Sequence, residues 1–174
     1  MTQATELIIR EAIPDDAANL LAYLQQVQSE SELLLITAED YGQSETYQAN
    51  ALADIYDSPN NTLLLALLGD EIVGMLRLSA ESDPHIQHIG EIGISVLKAH
   101  WGQRIGTYLL ADGVQWAKDT QILKRLELTV QARNQRAINL YQKIGFDKEG
   151  QMARGFYDSA VGYLDVWLMG YLID

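Results

Sequence analysis

Apolar and polar positions along this chain recur with two different periods, and the switches between them mark out the elements. Residues 6–12, ELIIREA, have the short period of a strand, and Pro14-Asp15-Asp16 then supplies the proline and first-turn acids of a helix start. Leu20, Leu21, Leu24 and Val27 recur at i, i+1, i+4 and i+7, the stripe of an amphipathic helix. Residues 28–43 are mixed and acidic, a loop or short helix, and 44–57 predict a second helix closed by Ser58-Pro59-Asn60-Asn61. Strands at 62–68 and 71–79 flank a Gly69-Asp70 turn, a tight hairpin by loop length and residue type. Next come a strand at 87–97, a helix from about 103 to 119 and the cleanly alternating strand RLELTVQ at 125–131. Ala137, Leu140, Tyr141 and Ile144 give a further helix its buried face, and Gly145 stops it. Apolar segments around 146–154 and 163–173 end the chain as strands.

This order is neither pure strand–helix alternation nor all-antiparallel. It predicts an α/β fold with a mixed sheet and helices on both faces. The strand–helix–strand unit from 87 to 131 should be parallel with a right-handed crossover. With 174 residues and no repeat, linker or low-complexity stretch, residues 1–174 read as one domain.

Composition removes several classes of function. There is no cysteine, hence no disulfide, thiolate metal site or cysteine nucleophile. The longest apolar run, TLLLALL, is far too short to span a membrane, and the N-terminus has no secretory pattern, so a cytoplasmic protein is expected. Net charge is −12, unevenly spread: residues 1–97 hold two basic against sixteen acidic side chains, and residues 98–174 ten against eight. Such a chain lacks the basic face that nucleic acid needs. An acidic first half suits solubility, or a cation; the second half leaves room for an anion. His85, His88 and His100 match no zinc spacing and read as surface histidines, with no metal expected.

The chemistry gathers around HWGQRIGTYLL, residues 100–110, where Gly102 and Gly106 mark a helix start. Glycine costs a helix about 1 kcal/mol relative to alanine, so it needs a reason there. Either an anion approaches bare N–H groups at the positive helix end, or the chain makes a turn and a close packing contact. Further on stands NQRAINLYQKIGF, residues 134–146. Together with the intervening strand, these segments resemble the GNAT superfamily of acetyl-CoA-dependent N-acetyltransferases over nearly the whole chain. Asn134, Ala137, Tyr141, Gly145 and Phe146 fit the family's Asn-x-x-Ala-x-x-x-Tyr helix and its Gly-Phe end. The family's loop, Arg/Gln-x-x-Gly-x-Gly/Ala, is met only in part, with Trp101 and Arg104 at its first two positions and Gly106 at the last.

The resemblance implies a role for each position. Backbone N–H groups of Gly102, Gln103, Arg104, Ile105, Gly106 and Thr107 would cradle the pyrophosphate of coenzyme A, with Gly106 closest. The Arg104 side chain would pair with a phosphate or face solvent. Val96, on the strand HIGEIGISV, would contact the cofactor through its main chain, and Asn134 would touch the pantetheine arm; read without the family, Asn134 is a helix N-cap. Tyr141 would protonate the departing thiolate, although a tyrosine at helical spacing also suits a core. A lysine-like amine is neutral at pH 7 only at a cost of about 4.6 kcal/mol, so a base is needed. Glu91 is the candidate, with His88 as alternative; an exposed acid on a sheet face is the competing reading.

The implied reaction is direct acetyl transfer from acetyl-CoA to a primary amine of a small molecule or peptide, in a ternary complex without metal. The alternative is a silent sensor of acyl-CoA or a small amine. Glu30, Glu32, Glu39 and Asp40 cluster where the family places acceptor contacts; they would either attract a cationic amine or form a solvated acidic face with no acceptor preference. The apolar final strand offers a face for a homodimer.

Overall fold

The hairpin sequence TLLLALL is apolar at every residue but the first, the mark of a strand covered on both faces. In the computed structural model, which describes residues 5–30, 33 and 44–174, that strand lies inside the sheet. The strands are β1 (Leu7–Glu11), β2 (Thr62–Leu68), β3 (Glu71–Ala80), β4 (Ile89–Val96), β5 (Arg125–Gln131), β6 (Asp147–Asp158) and β7 (Gly162–Leu172). The helices are α1 (Ala17–Glu30), α2 (Glu45–Asp57), α3 (Ile105–Thr120) and α4 (Gln135–Ile144). One sheet runs in the order β1-β2-β3-β4-β5-β7-β6, antiparallel except between β4 and β5. The predicted hairpin and the parallel β4–α3–β5 unit are both present.

Strand alternation sorts the core into two layers. Leu64, Ala66, Leu76, Leu78 and Ile92 pack with Leu109, Leu110 and Val114 of α3 and Ile138 of α4. Leu63, Leu65, Leu67 and Met75 face the other way, onto Leu20, Leu24 and Val27 of α1 and Leu52 of α2. On α1 the predicted stripe is corrected at one place: Leu21 is half-buried and Tyr23 is buried instead. Its hydroxyl reaches across to Ser95 Oγ at 2.8 Å.

Pro14–Asp16 is a short 3-10 turn leading into α1 rather than its first turn. Asp16 accepts two 2.8 Å bonds from the Arg10 guanidinium and a third from the Ile13 N–H. The guanidinium hydrogen bonds hold its carboxyl below the usual range against the opposing effect of burial. β7 lies between β5 and β6 with Val166 and Met169 buried and Tyr163 and Leu172 exposed, and β6 forms the edge. Among the described residues no helix is long and apolar enough to cross a membrane.

Candidate active site

Parallel pairing between β4 and β5 is brief: Ile89, Gly90 and Glu91 face Arg125, Leu126 and Glu127, and the ladder then stops. Beyond Glu91 the strands part while β4 stays paired to β3 as far as Val96 opposite Gly74. The Leu97 N–H bonds Val73 C=O on the β3 side at 2.9 Å. By alternation, the backbone groups of Ile92, Ile94 and Val96 turn away from β3, toward the gap. Trp101 Nε1–H donates to Val96 C=O at 2.8 Å, which leaves the Val96 N–H as the open group there.

A cleft of about 360 Å³ opens at the C-terminal end of β4, lined on β4 by Ile94, Ser95 and Val96 and on the loop before α3 by His100, Trp101, Gly102 and Arg104. The α3 start closes one side. Its first intrahelical bond runs from Tyr108 N–H to Arg104 C=O, so the N–H groups of Ile105, Gly106 and Thr107 have no partner within the helix. No side chain caps them, and all three residues line the cleft. The helix dipole adds positive potential at the same place.

The two glycines serve different ends. Gly102 has φ +80° with nothing within 4 Å of a would-be Cβ, so its glycine answers a backbone demand. A Cβ on Gly106 would lie 3.2 Å from Leu140 Cδ2, 3.9 Å from Val96 Cγ2 and 4.0 Å from Ile94 Cδ1. That glycine keeps open the space between α3, α4 and the unpaired edge of β4. Arg104 holds a left-handed conformation, φ 62° and ψ 15°, at the position where the resembling pattern has glycine. The left-handed turn is therefore kept without the glycine, at a strain of about 1–2 kcal/mol.

On α4, Asn134 is both the N-cap, accepting from the Ala137 N–H at 3.2 Å, and a cleft residue. The buried face expected on this helix divides in two. Ile138 and Tyr141 are buried, whereas Ala137 and Leu140 are half-exposed because they form the cleft wall. Tyr141 packs on Phe146, ring centroids 5.8 Å apart, and burial raises its phenol pKa well above the ordinary tyrosine value. The group is a proton donor throughout the physiological range.

The candidates do not all meet at the cleft. Val96, Gly102, Arg104, Ile105, Gly106, Thr107 and Asn134 line it; Gln103, Glu91 and Tyr141 do not. Glu91 is exposed at the last paired rung before the strands part, on the Ser95 face of β4. His88 offers its backbone carbonyl to Lys124 and Arg125, and His85 pairs with Asp83. His100 is not a simple surface histidine: it lines the cleft, with Nδ1 buried and unpartnered among the described residues. Of the acidic cluster, Glu32, Glu39 and Asp40 lie outside the described residues. Glu30 lines the cleft but accepts the Lys98 N–H at 2.7 Å, fixing the turn before the loop.

Arg136 carries no motif signal in the sequence, yet it belongs to the cleft. Its guanidinium stands 4.4 Å from the Trp101 ring centroid, and both residues line the cleft. The available signal was a cation in the first turn of a helix that has no acid there, the unfavourable end of the dipole.

A family model described as Acetyltransferase (GNAT) family matches residues 27–146. The L-amino acid N-acetyltransferase AaaT of Escherichia coli (strain K12) is 27% identical over 147 residues, 84% of this chain and 86% of that protein. An acetyltransferase of the GNAT family from Streptococcus pneumoniae superimposes with a TM-score of 0.92 at 39% identity, covering 97% of this chain and 100% of that one. The fold also matches yncA of Salmonella typhimurium, solved with its cofactor acetyl-CoA, with a TM-score of 0.75 at 21% identity over 99% and 95% of the two chains.

Proposed function

The chain belongs to the GNAT acetyltransferase family, and from that premise we propose that it transfers an acetyl group from acetyl-CoA to a primary amine, directly and in a ternary complex. The observation that carries the reading is the pairing of two unsatisfied backbone arrays across one cleft. The uncapped N–H groups of Ile105, Gly106 and Thr107 suit a diphosphate. The open edge of β4, the backbone groups of Ile94 and the N–H of Val96, suits the amides of a pantetheine arm. Acetyl-CoA supplies the acetyl group as a thioester; the rest is work for this chain's residues.

Val96 holds the arm through its N–H, with Asn134 on the opposite wall. Tyr141, kept protonated by burial, gives its proton to the leaving sulfur. Glu91, where β4 and β5 part, receives the proton of the acceptor amine through a water. Ser95, held by Tyr23, orients groups on the acceptor side. The AaaT relative makes the α-amine of an amino acid the first acceptor to test.

The test is release of free thiol from acetyl-CoA with a panel of amino acids, diamines and peptides, each product identified by mass. Tight acetyl-CoA binding without turnover on any amine would replace this reading with that of a binding protein.

A further inference from the structure

The position before the loop, where the resembling pattern has Arg or Gln, is Trp101 here. A tryptophan supplies one N–H, and that one is spent on Val96 C=O. Position 101 therefore offers the cleft no free side-chain donor, but the same tryptophan carries one on its ring. Arg136 lies over its ring at 4.4 Å, with Lys98 Nζ farther off at 6.0 Å. Stacking engages the face of a guanidinium and leaves its in-plane N–H donors free for an oxyanion. Arg136 is exposed and has no carboxylate partner among the described residues. It also sits in the first turn of α4, where the helix dipole repels a cation. An arginine held against that field, unpaired and aimed over a cleft, is arranged for an anion.

We propose that Arg136, carried on the face of Trp101, is a specificity residue that pairs with a phosphate of the coenzyme. Trp101 is its positioning residue. Backbone groups of the loop and α3 serve the diphosphate from one wall, and Arg136 adds a side-chain donor from the other. The inference rests on the acetyl-CoA reading above.

The test measures binding rather than turnover. Calorimetry with acetyl-CoA is compared with NMR titration by S-acetylpantetheine, which carries the same thioester and amides but no phosphate. Arg136→Gln should weaken acetyl-CoA roughly 10- to 100-fold, the usual worth of a charge-assisted bond, and flatten the salt dependence of binding. Affinity for S-acetylpantetheine should stay unchanged. Trp101→Ala should cost about 3- to 10-fold, Trp101→Phe should recover most of it by restoring a ring, and Trp101→Ala in the Arg136→Gln background should add less than about twofold. Wild-type affinity for acetyl-CoA in a folded Arg136→Gln protein would overturn the proposal. So would equal losses on both thioesters, or an undiminished Trp101 effect in the double variant. Failure of the unaltered protein to bind acetyl-CoA would remove the acetyl-CoA reading, and this inference with it.

Discussion

Gly106 and Gly102 stand four residues apart in one loop, and alanine at each should give opposite signatures. At Gly106 the backbone is helical, so alanine gains up to about 1 kcal/mol of helix propensity. Its Cβ would press on Leu140 Cδ2 at 3.2 Å, a contact that a half-exposed leucine relieves by shifting a few tenths of an ångström. The two effects nearly cancel, so the melting temperature should move by no more than about 2 °C. The same methyl group projects into the passage between α4 and β4, 3.9 Å from Val96 Cγ2, where the pantetheine arm is proposed to thread. Acetyl-CoA affinity should fall at least tenfold, about 1.4 kcal/mol or more. At Gly102 nothing crowds the new methyl, but φ +80° is strained for any side chain. Gly102→Ala should lose about 1–2 kcal/mol of stability, some 3–6 °C, with affinity changed less than about threefold. Calorimetric titration and thermal unfolding of both variants decide the matter. Gly106→Ala binding acetyl-CoA as tightly as wild type would refute the assignment of that space to the coenzyme.

Two further outcomes are expected. Tyr141→Phe keeps the packing on Phe146 and should cut kcat roughly 10²-fold with acetyl-CoA affinity intact; because burial raises the folded pKa above the reference of 10.0, wild-type stability should decline as pH rises past about 10, and the Phe variant should lack that component, as alkaline unfolding curves will report. Asp16→Asn should lose about 1–3 kcal/mol at pH 7; since Arg10 depresses the carboxyl pKa, the contribution is present above the unfolded value near 4 and lost as pH falls through the folded one, so urea melts of the two proteins should draw together as pH falls below about 4.

Much of the fold could be read locally. RLELTVQ alternates because the two faces of β5 differ in cover, and its bounds match the expectation. The TLLLALL hairpin strand carries the opposite pattern, a continuous apolar run, because it is covered on both faces. The start and end of β6 were harder. Its register shifts at Lys148/Gly150 and Met152/Phe156, and Arg154 takes φ 56°, so no single period survives along its length. At the site, Gly102 and Asn134 were legible because backbone demands leave marks in residue type. Arg136 was not, since its meaning lies in a contact with Trp101, 35 positions away in the chain. The half-burial of Ala137 and Leu140 was equally hidden: periodicity tells which side of a helix turns inward, never whether packing or a void awaits it.

The parting of β4 from β5 also has a mechanical meaning. Among the described residues three pairs sew the four-stranded half of the sheet, β1 to β4, to the three-stranded half, β5, β7 and β6. That seam is the shortest ladder among them, and past it the two halves are bridged by helices rather than rungs. A guest whose own amides occupy the open edge becomes an eighth strand in all but sequence, lengthening the seam from its frayed end. If the proposed coenzyme arm takes that edge, occupancy and cohesion rise together.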